Sequence, residues 1–149
     1  GRAMRRGLVK ILGVLILSLV FSFFLSKVTY AYNYLKPEEL KKWLETGKKV
    51  IIVDIQPHDE FVKRHIKGSI ETNAFPANTD ELKKRLDKAL PVINKSNDPV
   101  VIVCPRGKSG AKNAYDYLKS KGVPESRLYI LEGGIAGWPY PELLEKGGK

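Results

Sequence analysis

Cysteine is nearly absent from this chain: there is one, Cys104, in 149 residues. An intramolecular disulfide is therefore excluded, and so is any site built on paired thiolates. Histidine is almost as scarce. His58 and His65 have no spaced cysteine or carboxylate cluster beside them, so no metal centre is expected, and both read as surface or turn residues. Repeats and low-complexity tracts are missing as well. Acidic residues are absent from the first 31 positions, where Arg2, Arg5, Arg6, Lys10 and Lys27 carry half of the net charge of +10. The remaining lysines are spread over helix surfaces (Lys41, Lys42, Lys83, Lys84) and do not cluster with aromatics, so no nucleic-acid partner is expected.

The acid-free N-terminus has an order of its own. Arg5, Arg6 and Lys10 precede the uncharged stretch Ile11 to Leu25, and Val28-Thr29-Tyr30-Ala31 comes next with small residues. Basic, apolar and small in that order describes a secretory leader. The apolar stretch of 15 residues is short of the roughly 20 that a spanning helix needs. Residues 1–31 are expected to be a signal peptide cleaved near Ala31, with an uncleaved N-terminal anchor facing the periplasm as the alternative. The expected location is periplasmic or secreted, and contact with a membrane would come only through an uncleaved N-terminus. Arg5-Arg6 partly resembles a twin-arginine signal, but the strong apolarity of Ile11 to Leu25 favours the general secretory route. Met4 is the expected start, with Gly1-Arg2-Ala3 a cloning remnant.

Residues 32–149 read as one α/β domain. Pro37 opens a helix with Leu40, Trp43 and Leu44 on one face, and Gly47 ends it. Val50-Ile51-Ile52-Val53 and Val100-Val101-Ile102-Val103 are continuous apolar runs, and Arg127 to Leu131 is a third strand. Residues 58–65 predict a short helix, and Ser69-Ile70 an extended segment. A helix capped by Thr79 or Asp80 is predicted to run to about Leu90, with Leu82, Leu86, Ala89 and Leu90 on its apolar face. Ala111, Ala114, Tyr115 and Leu118 mark another, closed by Gly122. Apolar strands alternating with amphipathic helices predict a mainly parallel sheet of four to five strands with helices on both faces. Ligands of such sheets bind beyond the C-terminal strand ends, where Asp54 and Cys104 both stand.

The chemistry concentrates in Cys104-Pro105-Arg106-Gly107-Lys108-Ser109-Gly110. A cysteine leaves a buried strand, a glycine-containing loop comes after it, and a helix begins. Loop amides curling around the sulfur, the helix N-terminus, Arg106 and Lys108 would each favour thiolate over thiol, and thiolate is the nucleophile. Pro105 has no N–H to offer. Cys104 is expected to be partly solvent-accessible at the mouth of a shallow pocket. An inert core cysteine would need neither the glycine nor the flanking cations. Gly107-Lys108-Ser109 is not the end of a P-loop, which requires glycine where Ile102 stands. A tyrosine-phosphatase-like loop would need arginine where Gly110 stands.

This loop resembles the six-residue active-site loop of rhodanese domains, Cys-x-x-Gly-x-Ser/Thr/Arg. Val53-Asp54-Ile55-Gln56-Pro57-His58-Asp59-Glu60-Phe61 through His65-Ile66-Lys67-Gly68-Ser69-Ile70 is similar to the family's segment of the form VDVR…EF…GHIPGAI. Leu131-Glu132-Gly133-Gly134-Ile135-Ala136-Gly137-Trp138 is similar to its LxGGxxxW signature. The likeness covers roughly residues 35–142. Gln56 stands in place of a usual arginine, Lys67 of a proline, and Gly110 of a frequent serine.

The resemblance implies a single-domain, monomeric sulfurtransferase that needs no cofactor. Cys104 would be catalytic. Pro105, Arg106, Gly107, Lys108, Ser109 and Gly110 would bind a small sulfur-containing anion such as thiosulfate, and a thiol or cyanide would accept the sulfur. Asp54 is expected to support the structure by capping the turn after its strand, and Trp138 to pack in the core. A non-catalytic module that carries or senses sulfur, or binds a protein partner, is the alternative. An oxyanion reductase or phosphatase relative is disfavoured by the loop's lack of a terminal arginine.

Overall fold

The computed structural model describes residues 31–148. Residues 1–30, which carry the expected leader, lie outside them. Among the described residues no helix is long and apolar enough to cross a membrane.

Five strands form a wholly parallel sheet. They are β1 (Tyr34–Leu35), β2 (Ile51–Asp54), β4 (Ile70–Glu71), β5 (Val100–Val103) and β6 (Leu128–Leu131), in the order β1-β6-β5-β2-β4. The central pair is in register from Ile51 opposite Val100 to Asp54 opposite Val103, so both apolar runs end at one rim. β3 (His65–Ile66) pairs antiparallel with β7 (Leu144–Glu145) in a separate two-stranded ribbon.

Every residue of β2 and β5 is buried because both sheet faces are covered. The alternation of side chains assigns them to two cores. Ile51, Val53, Val100, Ile102, Leu128 and Ile130 pack with Ala111, Ala114, Tyr115 and Leu118 of α5 (Ser109–Ser120) and with Leu86, Ala89 and Ile93. Ile52, Val101, Val103 and Leu131 face the other way, toward Leu40 of α1 (Pro37–Glu45), Ile66, Ile135 and Trp138. α1 starts where expected. Pro37 occupies its first turn with Glu38 and Glu39, whose charges suit the positive end of the helix dipole.

The structure corrects two expected helices. The segment at 58–65 is helical only over α2 (His58–Phe61), and His65 belongs to β3. The segment from Asp80 does not run as one helix to Leu90. It begins as α3 (Asp80–Lys84), tightens to a 3-10 turn over Arg85–Ala89 and resumes as α4 (Leu90–Asn94), with Pro91 in its first turn. A proline has no N–H for the preceding turn, which accounts for the break. Thr79 caps α3, its Oγ1 accepting from Leu82 N–H at 3.2 Å.

Candidate active site

Cys104 is the first residue past β5, and its side chain falls on the face that carries Ile102. The chain then turns through Pro105–Lys108 into α5. Gly107 has φ +71°, and its N–H donates to Cys104 Sγ at 2.8 Å. The thiol thus sits within a loop that curls back on it.

A second loop holds the first in shape. After β6 the chain makes the turn Gly133-Gly134, and Gly134 N–H donates to Leu131 C=O at 3.0 Å. Ile135 N–H then donates to Cys104 C=O at 2.9 Å, and Ala136 N–H to Pro105 C=O at 3.0 Å. Both carbonyls are drawn toward this turn. In a trans peptide the N–H opposes the C=O, so Arg106 N–H points away from it. The two loops touch backbone to backbone. A Cβ on Gly134 would lie 2.3 Å from Cys104 O and 2.7 Å from Gly107 N, and one on Gly107 would lie 2.9 Å from Gly133 N. Glycine at 107 and 134 is therefore a packing requirement as well as a conformational one.

α5 opens at Ser109 with no side chain capping it. Its first-turn amides are left for some other acceptor, the usual arrangement where a helix receives an anion. Arg106, Lys108 and Ser109 are exposed around the loop, Pro105 is half-buried, and Gly110 is buried. Gly110 has an unexpected neighbour. A Cβ there would meet Cδ2 and Cε2 of Phe75 at 2.8 Å, so the Phe75 ring fills the space that a serine side chain would take.

One expectation fails. Cys104 is not partly accessible at a pocket mouth; it is 1% exposed. Its side chain continues the buried alternation of Val100 and Ile102, while the glycine contacts draw the loop tightly around the sulfur. A cleft of about 480 Å³ lies elsewhere, lined by Phe61, His65, Ile70, Glu71, Lys88 and Glu145.

Asp54 lies on the opposite face of the sheet from Cys104 and is fully buried. Gln56 N–H donates to its Oδ1 at 2.8 Å, capping the turn, and Gln56 Nε2 donates to its Oδ2 at 2.9 Å and to Arg64 C=O at 3.2 Å. A neutral amide thus occupies the position where the resemblance anticipates an arginine. Burial pushes the Asp54 carboxyl up to about 6, against the opposing pull of Gln56's hydrogen bonds and the nearby His65. His65 is not at the surface as expected. It is 5% exposed, stacks on Phe61, and its two ring nitrogens meet Phe61 C=O and Glu145. His58 is exposed, and its ring Nδ1 is hydrogen-bonded to Glu71. Among the described residues no group of three or more His, Cys, Asp or Glu could hold a metal ion. Trp138 packs in the core and donates from Nε1 to Tyr140 C=O at 2.8 Å.

The family model for the rhodanese-like domain matches residues 36–139. The chain belongs to the rhodanese-like domain family. "Uncharacterized protein YibN" of Escherichia coli (strain K12) is 32% identical over 104 residues, 66% of this chain and 62% of that protein. The chain thus spans a little under two thirds of the length of that relative. A rhodanese-like domain protein from Staphylococcus aureus superposes with a TM-score of 0.59 at 27% identity, covering 78% of this chain and 99% of the other. The As-Sb reductase from Leishmania major superposes with a TM-score of 0.60 at 23% identity, covering 80% and 88%. At that identity the likeness is one of fold. The same fold therefore also carries a reductase, and the fold alone does not define the activity.

Proposed function

We infer that the protein is a sulfurtransferase working through a Cys104 persulfide. The observation that carries this reading is the Gly107 N–H held 2.8 Å from Cys104 Sγ. In the first step the Cys104 thiolate attacks the sulfane sulfur of a donor such as thiosulfate. A bond forms between Sγ and that sulfur, the donor's sulfur–sulfur bond breaks, and sulfite leaves with the bonding pair. In the second step cyanide or a thiolate takes the outer sulfur as thiocyanate or as a new persulfide, and Cys104 returns as thiolate. No net oxidant or cofactor is consumed.

The chain's own contribution is electrostatic. The Gly107 N–H and the uncapped start of α5 favour negative charge at Sγ, and the same donors would hold the terminal sulfur of the persulfide. Arg106 and Lys108 are exposed beside the loop and draw anionic donors toward it. Pro105, Ser109 and Gly110 complete the loop. Asp54 holds the turn after β2 and takes no part in the chemistry. The basic, apolar and small order of residues 5–31 supports export, and the expected place of this activity is the periplasm or outside the cell. The assay is thiocyanate release from thiosulfate and cyanide. Turnover that is lost in Cys104→Ser supports the reading, and no turnover with any of several sulfane donors contradicts it.

One observation favours a second reading. Cys104 is almost fully covered, as suits a module that carries or senses sulfur without rapid turnover. Stoichiometric persulfide formation without catalytic thiocyanate release would support it.

A further inference from the structure

Phe75 belongs to no helix or strand, yet it is held firmly. Its N–H donates to Ile55 C=O at 2.8 Å, and Ile55 N–H donates to Val103 C=O at 2.8 Å. Three chain segments therefore stand side by side at one rim of the sheet, in the order Phe75, Ile55, Cys104. Two strand spacings separate the outer two, about 10 Å. Asn113 Nδ2 of α5 donates to Pro76 C=O at 3.1 Å, tying the Phe75 segment to the helix beyond the cysteine loop. Asn73, with φ +52°, and Ala77, with φ +56°, flank it in a conformation that side-chain-bearing residues seldom adopt.

Among the described residues Phe75 is nonetheless one of three large apolar side chains that remain exposed, at 36%. An aromatic ring kept partly in water by a well-anchored backbone has surface to offer. Its inner edge lies over Gly110, where any side chain would collide with it. Its outer surface lies at the same rim as Arg106 and Lys108. Phe75 and the half-buried Pro76 give this segment apolar surface, while Arg106 and Lys108 are exposed on the cysteine loop itself.

We propose that Phe75 is a specificity-determining residue of the Cys104 site, favouring sulfane donors that carry an apolar, preferably aromatic, substituent over small inorganic ones. The inference rests on the sulfurtransferase reading. An organic thiosulfonate has the required chemistry. Its anionic end faces the cations and the helix start, and its substituent covers the Phe75 ring. The Cys104 thiolate attacks its sulfane sulfur, the sulfur–sulfonyl bond breaks, a sulfinate leaves with the bonding pair, and Cys104 becomes the persulfide. Gly110 is the necessary complement, because a serine there would displace the ring.

The test compares benzenethiosulfonate with methanethiosulfonate anion, which share a reactive group and differ in apolar surface, using thiocyanate release to cyanide. Wild type should show a kcat/KM ratio of about tenfold in favour of the aromatic donor, the order expected for one aromatic contact. Phe75→Ala should bring that ratio close to one, while Phe75→Tyr, which keeps the ring, should preserve it. Phe75→Leu provides a second reduced variant if the alanine substitution unfolds the protein, and it too should lower the ratio. Transfer by wild type without an aromatic preference, or a preference that survives both Phe75→Ala and Phe75→Leu, would overturn the inference alone. Transfer from no donor at all would overturn the sulfurtransferase reading together with it.

Discussion

Gly107 and Gly134 come from loops after different strands and meet so closely that neither position has room for a Cβ. Both have positive φ, +71° and +60°. Their contact lets Ile135 and Ala136 hold the carbonyls of Cys104 and Pro105, and it leaves the Gly107 N–H on the sulfur.

Gly134→Ala should therefore cost far more than the loss of conformational freedom. Gly47 provides the control, since it has φ +75° with nothing within 4 Å of an added Cβ. In urea denaturation Gly47→Ala should cost about 1 kcal/mol, and Gly134→Ala about 3 kcal/mol or more, because backbone atoms must also move. Equal costs would mean that the loops do not depend on this contact.

Asp54 gives a pH dependence of definite sign. Its folded-state value, about 6, lies above the ordinary carboxylate value. Below the ordinary value both folded and unfolded chains are protonated, and the contribution to stability is complete. As pH rises toward about 6 the unfolded chain ionises first, so stability is lost across that window, by up to about 3 kcal/mol. Asp54→Asn should remove this component. The measurement is the difference in unfolding free energy between wild type and Asp54→Asn from about pH 4 to about pH 7. That difference should move against wild type as pH rises, and a flat difference would contradict the assignment.

His58 gains its stabilisation from a partner rather than losing it to burial. Its hydrogen bond to Glu71, and then the charge of Glu71, hold its imidazole above the ordinary histidine value. The stabilisation is present below the unfolded-state value and is lost as pH rises through the folded one. NMR titration should find the His58 midpoint raised in wild type and lowered in Glu71→Gln. An unchanged midpoint in that variant would remove Glu71 as the cause.

Arg106 and Lys108 are exposed, so replacing both with glutamine should change stability by no more than about 0.5 kcal/mol. The same change should lower kcat/KM for thiosulfate roughly tenfold at low salt, with a smaller effect at high salt, as screening of a long-range attraction requires. Unaltered thiosulfate kinetics would end the anion-steering role.

Long, strongly patterned elements were legible in the sequence. Val100–Val103 and Ile51–Asp54 announced buried parallel strands, and the spacing of Ala111, Ala114, Tyr115 and Leu118 announced the helix after the cysteine. Two-residue strands such as Tyr34–Leu35 and Leu144–Glu145 are too short for any periodicity to mark them. They exist only because β6 and β3 supply partners. That the loop after Cys104 curls back on the sulfur was legible, but the burial of that sulfur was not. That burial arises from contact with the turn at Gly133-Gly134, 29 residues or more downstream of the cysteine. Phe75 gave no signal, because its place over Gly110 depends on strand order rather than on local pattern. Gly110, standing where serine is frequent in the resembling loops, was the one available hint.

If Cys104 is the sulfur carrier, it must accept a single sulfur atom and give it up again. Intact-mass measurement of the protein after thiosulfate treatment, followed by cyanide, tests this directly. Wild type should gain about 32 Da, one sulfur on one nucleophilic thiolate, and lose it on addition of cyanide. Cys104→Ser should fold and gain nothing. Wild type that gains no sulfur from thiosulfate or from an organic thiosulfonate, or a Cys104→Ser protein that gains as much as wild type, would contradict a Cys104 persulfide.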